Sequence, residues 1–150
     1  MSGLAAIDVA DDPLAGMTGG VKILSDIRYR QSRILGYVGK ESCGILAHSV
    51  NDQKANRIHL VSHWPDAGQE STTSHPGGPY NTVSGGGGPK AWASLMCSRN
   101  AMVIEYVSGE PGPPGEARGP VTTTQVSDTP ATTRIVVAEA GLRKQLHSVR

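Results

Sequence analysis

The sequence predicts a mainly β protein: an antiparallel sandwich or barrel of short strands with long loops, an extended N-terminal arm and a short C-terminal helix. Three observations carry that expectation. Apolar residues fall in short runs rich in Val, Ile and Thr, bounded by Gly, Pro, Asn and Asp. Helical stretches of the length that separates parallel strands are missing, which disfavours a doubly wound sheet. The chain has 150 residues with 19 Gly and 10 Pro, enough punctuation for one domain with generous connectors.

Residues 1–20 are acidic and Gly-rich, with Leu4, Ile7 and Val9 as the sizeable apolar residues before Asp11-Asp12-Pro13. They read as an extended arm. Residues 21–138 read as the β-rich domain. Val21-Lys22-Ile23-Leu24 is a short β-type run, and Ile27-Arg28-Tyr29-Arg30 alternates apolar and basic with period two. Arg33 to Val38 continues in that style, with Gly36 and Gly39 suited to a bulge and a turn. Gly44 to Val50 and Arg57 to Trp64 flank the polar stretch Asn51 to Asn56, a hairpin pattern.

Residues 65–90 form a long gap in which Tyr80 is the one apolar residue larger than Val. A connector of that length reads as a functional loop, a linker or a segment ordered by a neighbour. Ala91 to Cys97 fits either a helix or a strand, and Ala101 to Val107 reads as a strand. Residues 108–120, with Pro111-Gly112-Pro113-Pro114-Gly115, read as a second long loop of polyproline type. Val121 to Val126 and Thr132 to Ala138 are β-branched and read as strands. The tail, 139–150, is the helix candidate, because Leu142, Leu146 and Val149 share one helical face.

Composition narrows the function classes. Fourteen basic and 13 acidic residues leave a net charge of +1, which argues against a dedicated nucleic-acid binder. No apolar stretch reaches membrane-spanning length, and residues 1–17 lack the basic start of a classical signal peptide. The expected location is therefore a virion, if the protein is viral, and otherwise the cytoplasm. Cys43 and Cys97 are expected to be a reduced pair there. With two Trp, four Tyr and no Phe, the core is lean in the residues that bury most area. Part of the stability is expected to come from association with other chains.

Four constellations invite a chemical reading. His59 and His63 lie four apart, with His48, His75 and Cys43 nearby. On a strand rising about 3.3 Å per residue, His59 and His63 would sit about 13 Å apart, too far to share one ion. Gly85 to Gly88 precede Lys90, but the Walker spacing is missing and Pro89 removes a donor, so a flexible loop is expected. Cys43 or Ser42 beside a histidine is a combination that chance supplies, and no G-x-S-x-G elbow is present. Residues 21–40 carry five basic residues against one acid. On a strand Arg28 and Arg30 would share a face; with Arg33, Arg143 and Lys144 they form the candidate interaction face.

No catalytic, cofactor or metal residue is assigned from the sequence. The expected function is a structural or assembly subunit of a larger homo- or hetero-oligomer, in the style of small virion proteins of capsid-decoration or tail type. Its expected partners are copies of itself and another structural protein. Two alternatives are a small enzyme or ligand-binding β-barrel using His59, His63 and His48, and a nucleic-acid contact through Arg28 and Arg30. No membrane partner is expected.

Overall fold

The computed structural model describes residues 1, 3–9, 14, 20–66, 68, 75–88 and 91–147. Ten strands and one helix follow in chain order. They are β1 (Lys22–Tyr29), β2 (Ser32–Gly39), β3 (Ser42–Ser49), β4 (Ile58–His63), β5 (Asn81–Gly86), β6 (Ala91–Cys97), β7 (Ala101–Ser108), β8 (Pro114–Arg118), β9 (Val121–Asp128), β10 (Ala131–Ala138) and α1 (Ala140–His147). They form two five-stranded sheets, ordered β4-β3-β2-β1-β8 and β5-β6-β7-β10-β9. Every paired neighbour is antiparallel. The architecture is a sandwich and not a closed barrel.

The first four strands form a meander, as their alternation predicts. β4 is a simple case: Ile58, Leu60 and Ser62 are buried, while His59, Val61 and His63 are exposed. The apolar runs at 21–24 and 27–30 join into the single strand β1. The join is a bulge between Ile23 and Ser25, opposite Gly36. A Cβ on Gly36 would lie 2.4 Å from the Ser25 hydroxyl, so glycine here admits the bulge.

The core lies between the sheets. Leu24, Ile34 and Ile45 of the first sheet face Leu95, Ile104 and Ile135 of the second, all fully buried. At about 25 cal/mol per Å² these aliphatic side chains supply the main stabilisation that Phe would otherwise share. Both outer faces are partly covered as well. Arm residues Ile7, Val9 and Leu14 pack on Leu35, Tyr37 and Leu46 outside the first sheet. Leu142 and Leu146 of α1 pack with Val103 and Val136 outside the second. Val149, the third residue of the expected helical face, lies outside the described residues.

Several expectations need correction. The gap at 65–90 contains a strand, β5, and the expected loop at 108–120 contains another, β8. Ala91 to Cys97, open between helix and strand from the sequence, is a strand. Cys43 and Cys97 are not a reduced pair. Both are fully buried and bridged across the two sheets, with Cα atoms 5.8 Å apart. Sheet packing brings β3 and β6 face to face at that spacing, which suits a disulfide.

Candidate interaction surface

The sandwich has two long sides, and they are built differently. On one side β4 of the first sheet runs beside β5 of the second. The Asn81 amide donates to the His63 carbonyl at 3.0 Å, tying the two edges. The Gly-rich run has a packing role there. Gly85 and Gly86 lie within β5, and a Cβ on Gly87 would sit 2.5 Å from the Arg57 carbonyl oxygen. Glycine lets the two backbones approach this closely. The disulfide also joins the strands next to this edge, β3 and β6.

On the other side β8 and β9 are the two sheet edges, and no ladder joins them. A cleft of about 150 Å³ opens between the sheets there, lined by Ile27, Tyr29, Ala117, Thr123, Gln125 and Thr133. A hydrogen bond spans it: the Tyr29 hydroxyl donates to the Gln125 side-chain oxygen at 3.0 Å. Every residue of β8 is exposed. The eight residues of β9, Val-Thr-Thr-Thr-Gln-Val-Ser-Asp, carry one charge, Asp128, at the end. Val126 is 45% exposed. Its exposure follows from a bulge in the β9–β10 ladder near Thr132 and Thr133, which leaves Val126 without a partner in the register.

The basic residues singled out from the sequence do not form one face. Arg28 is exposed on β1 and lines the open cleft. Arg30 lies beyond the strand, in a turn with φ of 54°, and donates to the Glu110 carbonyl at 2.9 Å. Arg33 is 5% exposed and forms a two-pronged ion pair with buried Asp26, both N···O distances 3.1 Å. Burial of such a pair demands this close geometry, because each charge has lost its water. Arg143 donates to the Val121 carbonyl at 3.1 Å, and it sits with Lys144 on α1, outside the other sheet. The set is therefore split between the two sheets, and Arg33 is internal.

The histidines also separate. His59 and His63 both point outward from β4, four residues apart, as the strand reading requires. His48 is buried, its Nδ1 2.8 Å from the Ser49 carbonyl. His59 Nε2 is engaged by the Tyr37 hydroxyl. Although His59 faces outward, its packing against Tyr37 partly desolvates the imidazole, and this, with repulsion from Arg57, holds it below its ordinary pKa. Burial raises Tyr37 above the ordinary phenol value. Among the described residues, no group of three or more His, Cys, Asp or Glu could hold a metal ion. A further cavity of about 320 Å³ is lined by Lys22, Val38, Lys40 and Trp64. It brings together ammonium and apolar groups without a carboxylate or histidine among its described lining residues.

The sequence reading missed the β9 edge as a surface. The signal was present in Val121-Thr122-Thr123-Thr124-Gln125-Val126: six β-branched or amide residues without a charge or proline. Natural edge strands carry such devices to block pairing with other chains. Geometry and sequence together define a two-sheet antiparallel β-sandwich with one tied side and one open side. Comparison with protein families, curated proteins and solved structures gives no match for this chain.

Proposed function

We propose that the protein is a structural assembly subunit, joined to copies of itself and to a second structural protein in a larger particle. A small virion protein of capsid-decoration or tail type is the setting this reading favours. The observation that carries it is the β9 edge: an eight-residue strand, bare of proline and lysine, bordering an open cleft. Such an edge offers a row of backbone donors and acceptors to an incoming strand. The buried disulfide supports an oxidising location such as an exposed virion surface, in preference to the cytoplasm.

The test is mass measurement during size-exclusion chromatography over a wide concentration range, with and without Gln125→Lys. Assembly through this edge gives a native oligomer that the lysine variant weakens. A native protein that stays monomeric at every concentration overturns the reading.

A further inference from the structure

We propose that β9 pairs with β9 of a second copy, antiparallel, across a two-fold axis passing through Thr123. The inference rests on the assembly reading above and names the partner of that same edge.

The four sheet edges are not equally open to pairing. β4 and β5 lie beside one another, tied by Asn81 and His63. β8 is five residues long, starts at Pro114 and carries Glu116 and Arg118. Proline withholds a donor and charges resist burial in a ladder, so β8 is guarded. β9 is longer, and Val121 to Gln125 holds neither charge nor proline. Helix α1 secures β9 through Arg143, which donates to the Val121 carbonyl, and His147, 2.9 Å from the Thr124 hydroxyl. Thr123 and Gln125 remain exposed.

The choice of a second copy as occupant comes from symmetry and charge. A two-fold contact uses the same patch twice, so the patch must complement itself. Val121-Thr122-Thr123-Thr124-Gln125 has this property about Thr123. Thr123 faces its counterpart and Thr122 faces Thr124; Val121 comes opposite Gln125 at the ends, where its N–H is already given to the Gly119 carbonyl and its own carbonyl accepts from Arg143, so the three threonines carry the ladder. Threonine pairs are favourable across antiparallel strands, and no like charges meet. Asp128, the one charge of β9, then runs past Val121 of the second copy toward the corner after Arg118. The Arg118 side chain is half exposed; it lies 4.0 Å from Asp26, which Arg33 already pairs, and donates to the Asp8 carbonyl, so two guanidinium groups share one carboxylate and the corner keeps positive charge for Asp128 to approach at both ends of the contact. The β5-β6-β7-β10-β9 sheets of the two copies become one continuous sheet, and the two β9 edges are removed.

The experiment uses one added thiol, since both native cysteines are buried in the bridge. Residues opposite each other on antiparallel strands have Cα atoms about 4.5–5.5 Å apart, within disulfide reach. Thr123→Cys, mildly oxidised, should run as a covalent dimer on a non-reducing gel. Val61→Cys, also exposed but on β4, should remain monomeric under the same conditions. If the native protein is oligomeric but Thr123→Cys gives no dimer, or no more than Val61→Cys, the two-fold pairing is overturned and the assembly reading stands. If the native protein is monomeric at every concentration, both fall.

Discussion

The β4/β5 side and the β8/β9 side are the same kind of corner, a pair of sheet edges facing each other, yet they are finished in opposite ways. At the first, glycines bring backbones together, Asn81 reaches across, and the Cys43–Cys97 bridge anchors the strands beside it. At the second, a tyrosine–glutamine hydrogen bond spans a cleft. The first side is completed by the chain itself. The second leaves backbone groups and an exposed valine at its border. On the assembly proposal, sealing one side within the chain and leaving the other open would concentrate association at a single place. A sandwich with two open sides would be free to polymerise at both.

The largest effect belongs to the tied side. Replacing Cys43 and Cys97 by Ala removes a cross-link over 54 residues of chain. The chain-entropy relation puts that loss at about 4 kcal/mol. Whole-domain stability is typically about 5–15 kcal/mol, so the double variant should be close to unfolding at physiological temperature. Urea titration of the native protein with and without a strong reductant gives the same comparison without mutation. Equal midpoints would mean that the bridge does not hold the sheets.

Next comes the glycine approach. Gly87→Ala places a methyl group 2.5 Å from both the Arg57 carbonyl oxygen and Ile58. One contact is backbone, so relief requires β4 and β5 to separate, at about 1–3 kcal/mol. A thermal melt should show the loss, and amide exchange should quicken in β4 and β5 first. Unchanged exchange there would remove the argument that glycine sets this spacing.

Cys43, Cys97 and Gly87 show what the sequence made legible and what it did not. β2, β3, β4, β7 and β10 were visible because an apolar side chain recurs on the buried face. β5 and β8 have no such pattern. Asn-Thr-Val-Ser-Gly-Gly and Pro-Gly-Glu-Ala-Arg are held as strands by backbone ladders to β6 and β1. Those ladders depend on chain remote from them, so local composition reads as loop. The disulfide is invisible for the same reason: only the packing of β3 against β6 brings the sulfurs together. The Arg33 misreading is different in kind. The hairpin that places Arg33 opposite Arg28 also brings Asp26 within reach, and a local excess of positive charge became an internal ion pair. His59 and His63 were placed correctly because a strand fixes their separation without tertiary information.

On the open side, smaller effects are expected. Tyr29 is buried and meets Tyr106 edge to face, with ring centroids 6.4 Å apart. Tyr29→Phe keeps that contact and deletes the bond to Gln125, at a cost of about 1 kcal/mol. The same change removes the Tyr29 partner of Gln125, two residues from Thr123 on β9. If β9 is an assembly edge, the variant should shift oligomer mass more than it shifts the urea midpoint. A large loss of monomer stability with unaltered assembly would make the two sides alike and remove the contrast.

The smallest effect is a pH dependence, and it too should fall on the tied side. The folded protein holds His59 below its ordinary pKa, through burial first and Arg57 second. Below about pH 6.5 the unfolded chain therefore takes up a proton that the folded chain resists. The contribution of neutral His59 is complete above that pH and is lost as the pH falls toward the depressed folded value. Stability should decline modestly on acidification through this window. Because His59 meets the Tyr37 hydroxyl on the outer face of the first sheet, the decline should loosen β4 before β9. His59→Gln should flatten this part of the pH profile while leaving the native mass in solution unchanged. If the variant instead altered assembly at neutral pH, β4 would be part of the contact surface, and the tied side would not be closed to other chains.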